Sequence, residues 1–276
     1  MLIDTHAHLN FSAYKSDAEE VIKRTLKEGV FIINVGSQYS TSVRAVEYAK
    51  KYESGVYAAI GIHPLHLQAQ EFSYHDPDEI EEVEIKTAGE NFSKEKYLVL
   101  AKESKVVAIG EVGLDYHHFN PKDNVEKLIA KQKETLLEFI NLANEVDTPI
   151  IIHCWDAYDD LYEMLSKNPV KKRGVIHSFV GGYKTAKKFI ELGYKIGLNG
   201  IITYGISYDK LIKEIDLKDI VIETDCPYLA PVPKKGERNE PLNVRYVLEK
   251  VAQIKEISKE EVEKITTENA KKVFGI

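Results

Sequence analysis

The chain has 276 residues, enough to bury a large core without disulfides, and its length is close to the roughly 250 residues of one (β/α)8 barrel. With 43% hydrophobic and 29% charged residues it has the composition of a soluble globular protein, and no apolar run approaches the roughly 18 residues that span a membrane. A net charge of −7 excludes a protein that coats nucleic acid by bulk electrostatics, but not an enzyme that grips a few phosphates locally.

Read in chain order, short apolar runs alternate with stretches of helical period. The run at 2–3 is followed by an amphipathic stretch at 17–28, and the run at 31–35 by one at 40–52. A third run lies at 56–60, and a fourth at 106–109 precedes a long amphipathic stretch at 124–145. Runs at 149–152, 174–176, 194–196 and 220–222 follow, with helical stretches at 183–192 and 208–215 between the later ones. Most runs are rich in Val and Ile with little alternation, as expected of parallel strands covered on both faces. The alternation predicts an α/β fold with a parallel sheet. Eight such runs predict a single-domain (β/α)8 TIM-type barrel, although the pattern alone also admits an open doubly wound sheet. The tail from Pro241 to Phe274 reads as two helices, the second capped by Ser258 with Glu261 completing a capping box. Residues 68–96, long and acidic, read as an insertion above the barrel mouth.

The chain has two cysteines, Cys154 and Cys226, and no disulfide framework. Met1 to Ile3 lead straight into Asp4 without the basic and apolar stretches of a signal peptide. A cytoplasmic monomer is therefore expected.

The chemistry lies at the strand ends. The first strand runs into Asp4-Thr5-His6-Ala7-His8, and residues two apart in an extended chain share a face, roughly 6.5–7 Å apart. Glu111, His153, His177 and Asp225 each follow a later predicted strand. In a barrel those ends converge on one mouth, where active sites are built. Such ligand types suit zinc, manganese or nickel, with magnesium also admissible. Six groups exceed the needs of one open catalytic ion; a pair of divalent ions bridged by Glu111 fits better, and such a pair activates a water. Cys154 and Cys226 follow ligands directly, so alternation turns them into the core.

At this point the chain resembles the TatD family of metal-dependent deoxyribonucleases, within the amidohydrolase superfamily. The matching blocks are Ile3 to Leu9 (IDTHAHL), Gly61-Ile62-His63-Pro64, Ala108 to Tyr116 (AIGEVGLDY), Ile151 to Cys154, Ile176 to Phe179, Ile222 to Pro231 (IETDCPYLAP) and Arg238 to Pro241. The resemblance implies a TIM-type barrel and hydrolysis of DNA phosphodiester bonds, often from a 3′ end. It implies one ion on His6, His8, Glu111 and Asp225, a second on Glu111, His153 and His177, and Asp225 as the general base. The family commonly reads His-Pro-His after the third strand. Here the order is His63-Pro64-Leu65-His66, which displaces the second histidine.

Several neighbours are candidate substrate contacts. His63 is placed to bind a phosphate oxygen or to cap its loop, Tyr116 to stack on a base or to pack the loop, and Arg238, ahead of a helix opened by Pro241, to bind phosphate or to stand solvated at the surface. Glu223 shares the face of Asp225 and is placed to orient a ligand or to form an ion pair inside the barrel wall. Trp155 is either a loop anchor or a stacking surface. Two other readings are carried: amide, lactone or ester hydrolysis of a small molecule on the same scaffold, and a barrel that binds metal and nucleic acid without turnover. Many superfamily enzymes of the first kind use a bridging lysine, where this chain has Glu111.

Overall fold

The computed structural model describes residues 1–74, 83–120 and 123–276. In chain order the strands are β1 (Leu2–Ala7), β2 (Val30–Val35), β3 (Val56–Ile60), β4 (Ala69–Tyr74), β5 (Val83–Ala88), β6 (Val106–Asp115), β7 (Ile150–Trp155), β8 (Gly174–Ile176), β9 (Lys195–Leu198) and β10 (Ile220–Ile222). The helices are α1 (Ala18–Lys27), α2 (Tyr39–Lys50), α3 (Lys94–Ala101), α4 (Val125–Glu145), α5 (Tyr158–Lys167), α6 (Tyr183–Glu191), α7 (Asp209–Glu214), α8 (Val244–Lys255) and α9 (Lys259–Phe274). Eight strands pair in parallel in the order β1-β2-β3-β6-β7-β8-β9-β10. The seam between β10 and β1 is closed by short contacts: Asp225 N–H to the His6 carbonyl and His8 N–H to the Cys226 carbonyl, both 2.8 Å. This is the expected eight-stranded barrel; the doubly wound alternative is excluded.

The two faces of the barrel wall carry different apolar layers. Ile3, Ile33, Val35, Ala59, Val107, Ile151, Val175 and Val221 gather inside, with Ala270 and Phe274 of α9 packed into the same cluster. The larger layer lies between the strands and the surrounding helices and includes Leu2, Ile32, Ile60, Ile152, Phe139 and Phe189. A strand covered on both faces needs apolar residues at successive positions, which is why alternation is weak in the sequence.

Three features differ from expectation. First, β4 and β5 form an antiparallel hairpin paired from Ala69–Ala88 to Tyr74–Val83, outside the barrel sheet. It lies within the predicted insertion at 68–96, of which 75–82 fall outside the described residues. Second, α3 and α5 were not anticipated. In α5 only Leu161 and Leu165 are buried, too narrow a stripe to stand out. Third, Pro241 opens a 3-10 turn (Pro241–Asn243), and α8 begins only at Val244. The Ser258 hydroxyl accepts the Glu261 N–H at 3.1 Å, as predicted for the start of α9. Among the described residues no helix is long and apolar enough to cross a membrane.

Candidate metal centre

Two irregularities in the ladder set up the site. The β1–β2 register shifts between Asp4 and Ala7. Ile3 packs inside the barrel while Ala7 and Leu9 pack outside, so the shift turns His6 and His8 inward. The β6–β7 register shifts between Ile109 and Val112, around Glu111. Bulges of this kind re-aim side chains next to active sites. Beyond β10, Asp225 adopts a left-handed backbone, φ 60°, which aspartate tolerates better than most residues. Its N–H on His6 and the Tyr228 N–H on its carbonyl, 3.1 Å, hold it there.

The six predicted residues come together. On one side the Nε2 atoms of His6 and His8 lie 3.1 Å apart. They are 3.6 and 3.8 Å from Glu111 Oε2, and 3.7 and 3.2 Å from Asp225 Oδ1. A four-coordinate ion with bonds of about 2.1 Å spaces its ligand atoms roughly 3.4 Å apart; the groups whose ligand atoms lie within 4.8 Å of one another are His6, His8 and Glu111, then His6, His177 and Asp225, and, across Glu111, His63, Glu111 and His153. On the other side Glu111 Oε1 faces His153 Nδ1 and His177 Nε2, each at 3.2 Å. The His6 and His177 rings stack at 3.7 Å, so the two sets share a wall. Within the set His153 and Asp225 have the most exposed side chains, 12% and 15%, against 0–5% for the others. The side of the set open to solvent is therefore that of His153 and Asp225.

Three of the four rings are held by their far nitrogen, as ligating histidines usually are. His8 Nδ1 donates to the Val35 carbonyl at 2.8 Å. His177 Nδ1 meets Glu223 Oε1 at 3.0 Å, and the same oxygen accepts the Ser178 N–H at 2.6 Å. A side chain at Gly197 would put its Cβ 2.7 Å from Glu223 Oε2, so glycine makes room for this carboxylate inside the wall. His153 Nε2 meets Asp115 Oδ2 at 3.0 Å. His6 Nδ1 is the exception: it is buried without a hydrogen-bond partner.

The charges follow from these neighbours. Burial opposes charge on Glu111, but His177 beside it, and hydrogen bonds from His153 and His177, hold its carboxyl well below the usual range. Burial likewise opposes charge on His153, yet Asp115 and Glu111 lift its pKa to about 9. His177 is raised well above its ordinary value against burial, by Glu223, Asp225 and Glu111. His6 is lowered by burial and by His177. Asp225 is lowered despite burial, by His177 and by its hydrogen bond with His8.

The expected supporting residues divide. Glu223 meets His177 Nδ1 inside the barrel wall at 3.0 Å, a contact that fits both of its readings. His63 accepts the Leu65 N–H on Nδ1 at 3.2 Å, which leaves the proton of its neutral ring on Nε2, 3.5 Å from Glu111 Oε1. Burial keeps that ring neutral by lowering its pKa far below the ordinary value. His66 is likewise pushed down, to about 4, by burial. Tyr116 does not reach the mouth: its ring packs against the outer layer and its hydroxyl donates to Asp160 at 2.7 Å. The guanidinium of Arg238 is already committed. It holds both Asp17 oxygens at 2.9 and 2.6 Å, lies 3.3 Å from Glu240, and covers the Tyr14 ring at 4.3 Å. Cys154 and Cys226 are buried, and burial raises both thiols.

Two carboxylates escaped the sequence reading. Asp115 anchors His153, accepts His118 Nδ1 at 2.8 Å and takes the backbone N–H groups of His117 and His118 at 3.0 Å. Asp4 accepts the Thr224 hydroxyl at 2.6 Å, the Thr224 N–H at 2.9 Å and the His6 N–H at 3.2 Å. It thus ties the two chain segments that carry His6 and Asp225. Asp115 shares the face of Glu111, four residues on in one strand, and that spacing was its available signal.

A family model described as TatD related DNase matches residues 3–275. The chain is 41% identical over 281 residues to the uncharacterized metal-dependent hydrolase YabD of Bacillus subtilis (strain 168), with 100% of each chain covered. It is 30% identical over 282 residues to the uncharacterized metal-dependent hydrolase YcfH of Escherichia coli (strain K12), covering 100% of this chain and 96% of that one. Its fold is similar to that of the crystal structure of YjjV, a TatD homologue from Escherichia coli K12, at a TM-score of 0.84 and 28% identity, covering 100% of this chain and 98% of that one.

Proposed function

The chain belongs to the TatD-related DNase family and is a metal-dependent hydrolase; from that premise we propose that it hydrolyses phosphodiester bonds in DNA, removing nucleotides from a 3′ end. The observation that carries this reading is the placement of Glu111. One of its oxygens faces His6 and His8, and the other faces His153 and His177. A carboxylate shared between two sets of donors suits a pair of divalent ions, with magnesium, manganese and zinc the candidates.

His6, His8, Glu111 and Asp225 would hold one ion, and Glu111, His153 and His177 the other. When bound, the ions would offset the phosphate charge and lower the pKa of an attacking water toward about 7. Asp225 is the base: it is ionised, and its carboxylate is the most exposed of the six. It would take one proton as the water oxygen bonds to phosphorus and the P–O3′ bond to the remaining strand opens, the departing 3′ oxygen taking a proton from solvent. His63 turns its Nε2–H into the same space, where it donates to a phosphate oxygen. Glu223 and Asp115 keep His177 and His153 in register while charge builds up on the phosphate.

The test is digestion of end-labelled DNA by protein loaded with magnesium, manganese or zinc, run beside Glu111→Gln. Stepwise loss from the 3′ end, absent in the variant, is the expected result. No cleavage with any of the three, together with turnover of an ester or lactone panel, would move the same site to a small-molecule substrate.

A further inference from the structure

The mouth of the barrel carries an aromatic stack that the hydrolytic machinery does not use. Trp155 ends β7, two residues beyond His153 and on the same strand face, about 7 Å further along. The His117 ring lies flat on the indole, with centroids 4.8 Å apart and planes within 10°. The His118 ring meets the same indole edge-on at 4.9 Å. His117 has half its side chain exposed.

The stack is rigidly tied to the metal centre. Asp115 pairs with Trp155 across the β6–β7 ladder. Its carboxylate holds His153 through one oxygen, with His118 Nδ1 on the same oxygen, while its other oxygen takes the backbone N–H groups of His117 and His118. The group that orients a candidate metal ligand therefore also sets the turn that delivers the two histidine rings. His117 Nδ1 is fixed in turn by Asp156 Oδ2 at 2.8 Å, and Asp156 holds a left-handed backbone, φ 55°. The exposed ring is thus held by a side-chain contact as well as by its turn.

We infer that the Trp155–His117 stack is a base platform: the nucleobase beside the scissile phosphate lies on the exposed face of His117, supported from below by Trp155. This rests on DNA being the substrate. Stacking uses the π-face that every base has, so the platform holds a nucleotide without reading its identity. It also supplies what Tyr116, turned to the outer layer, does not. Because Asp115 fixes platform and His153 together, the base position determines where its phosphate falls relative to Glu111.

The experiment compares a thymidine oligonucleotide with one bearing an abasic 3′-terminal residue, using metal-loaded wild type, Trp155→Ala, Trp155→Phe, His117→Leu and His117→Phe. In wild type the abasic substrate should have a KM about ten-fold higher, the low end of one lost base–aromatic contact. Trp155→Ala and His117→Leu should erase that difference, whereas the two Phe variants retain most of it. Metal content and kcat on the abasic substrate should stay unchanged throughout. Equal KM values in wild type, or discrimination that survives both non-aromatic variants, would overturn the platform and leave the nuclease standing. Trp155 is the single tryptophan of the chain, so its fluorescence reports the platform without turnover. If wild type cleaves no DNA, the nuclease reading fails; the platform then stands only if the thymidine oligonucleotide shifts that emission and the abasic one does not.

Discussion

The two halves of the site share Glu111 but are held differently. On the Oε2 side, His8 leans on the Val35 carbonyl, His6 has no partner on its far nitrogen, and Asp225 is held through its backbone. On the Oε1 side both histidines are backed by carboxylates, His153 by Asp115 and His177 by Glu223. A carboxylate behind an imidazole makes it a stronger donor and, while no ion is present, a stronger base. The first half is thus built from shape and main-chain anchors, whereas the second is built from charge. Removing a shared group should damage both halves, and removing a backing carboxylate should damage only one.

The largest effect is expected from Glu111→Gln, which weakens both donor sets at once. Turnover should fall by more than about 10⁴-fold, beyond the usual range for one proton-transfer group. Metal analysis after dialysis should show both ions depleted; retention of a full complement would refute Glu111 as the bridge. Asp225→Asn should cost less, about 10²–10⁴-fold in kcat, because the amide cannot take a proton. The Oε1 half should keep its ion in that variant. A pH–rate profile that keeps its acidic limb in Asp225→Asn would assign the base elsewhere.

Next in size are the backing carboxylates. Asp115→Asn and Glu223→Gln should each lower affinity for the ion of the Oε1 half by about 10–100-fold. The Oε2 half should be unaffected, so competition with a chelator should strip one ion from these variants before the other. Equal loss from both halves would mean the backing groups support the barrel rather than one set of ligands. The neighbouring Tyr116→Phe should change little, since its hydroxyl serves Asp160 on the outer side.

The difference between the halves also separates what could be read in the sequence from what could not. All six candidate ligands were legible because strand ends in a (β/α)8 barrel converge, so one linear rule finds residues that are far apart in the chain. Alternation then found Glu223, two residues from Asp225. Applied with equal rigour to β6 it would have found Asp115 and rejected Tyr116, which lies at the opposite parity from Glu111. Bulges are harder: Ile3 and His6 both face the barrel interior only because the register shifts between them, and no simple period encodes that. Arg238 is harder still. Its partner Asp17 is 221 residues away in the chain, and without that pairing it resembled an available phosphate ligand. The main-chain anchor of His8 has no side-chain signature at all.

The smallest predicted effect is a count of protons. In the ion-free protein His153, raised to about 9, favours its protonated form at pH 7.5, and His177 is raised in the same direction. His6 is lowered and Glu111 is ionised, so neither has a proton to give up. An ion can bind only a deprotonated imidazole nitrogen. Filling the Oε1 half at pH 7.5 should therefore release protons, the first of them from His153. Its affinity should rise with pH and level off above the raised values, because there the protons are already gone. In the Oε2 half His6, already lowered, should add no proton. Calorimetric titration with zinc in two buffers of different ionisation enthalpy measures both counts. In Asp115→Asn the release from the Oε1 half should drop, because His153 loses one of the two carboxylates that keep it charged. An unchanged count in that variant would show that Asp115 positions His153 without setting its charge.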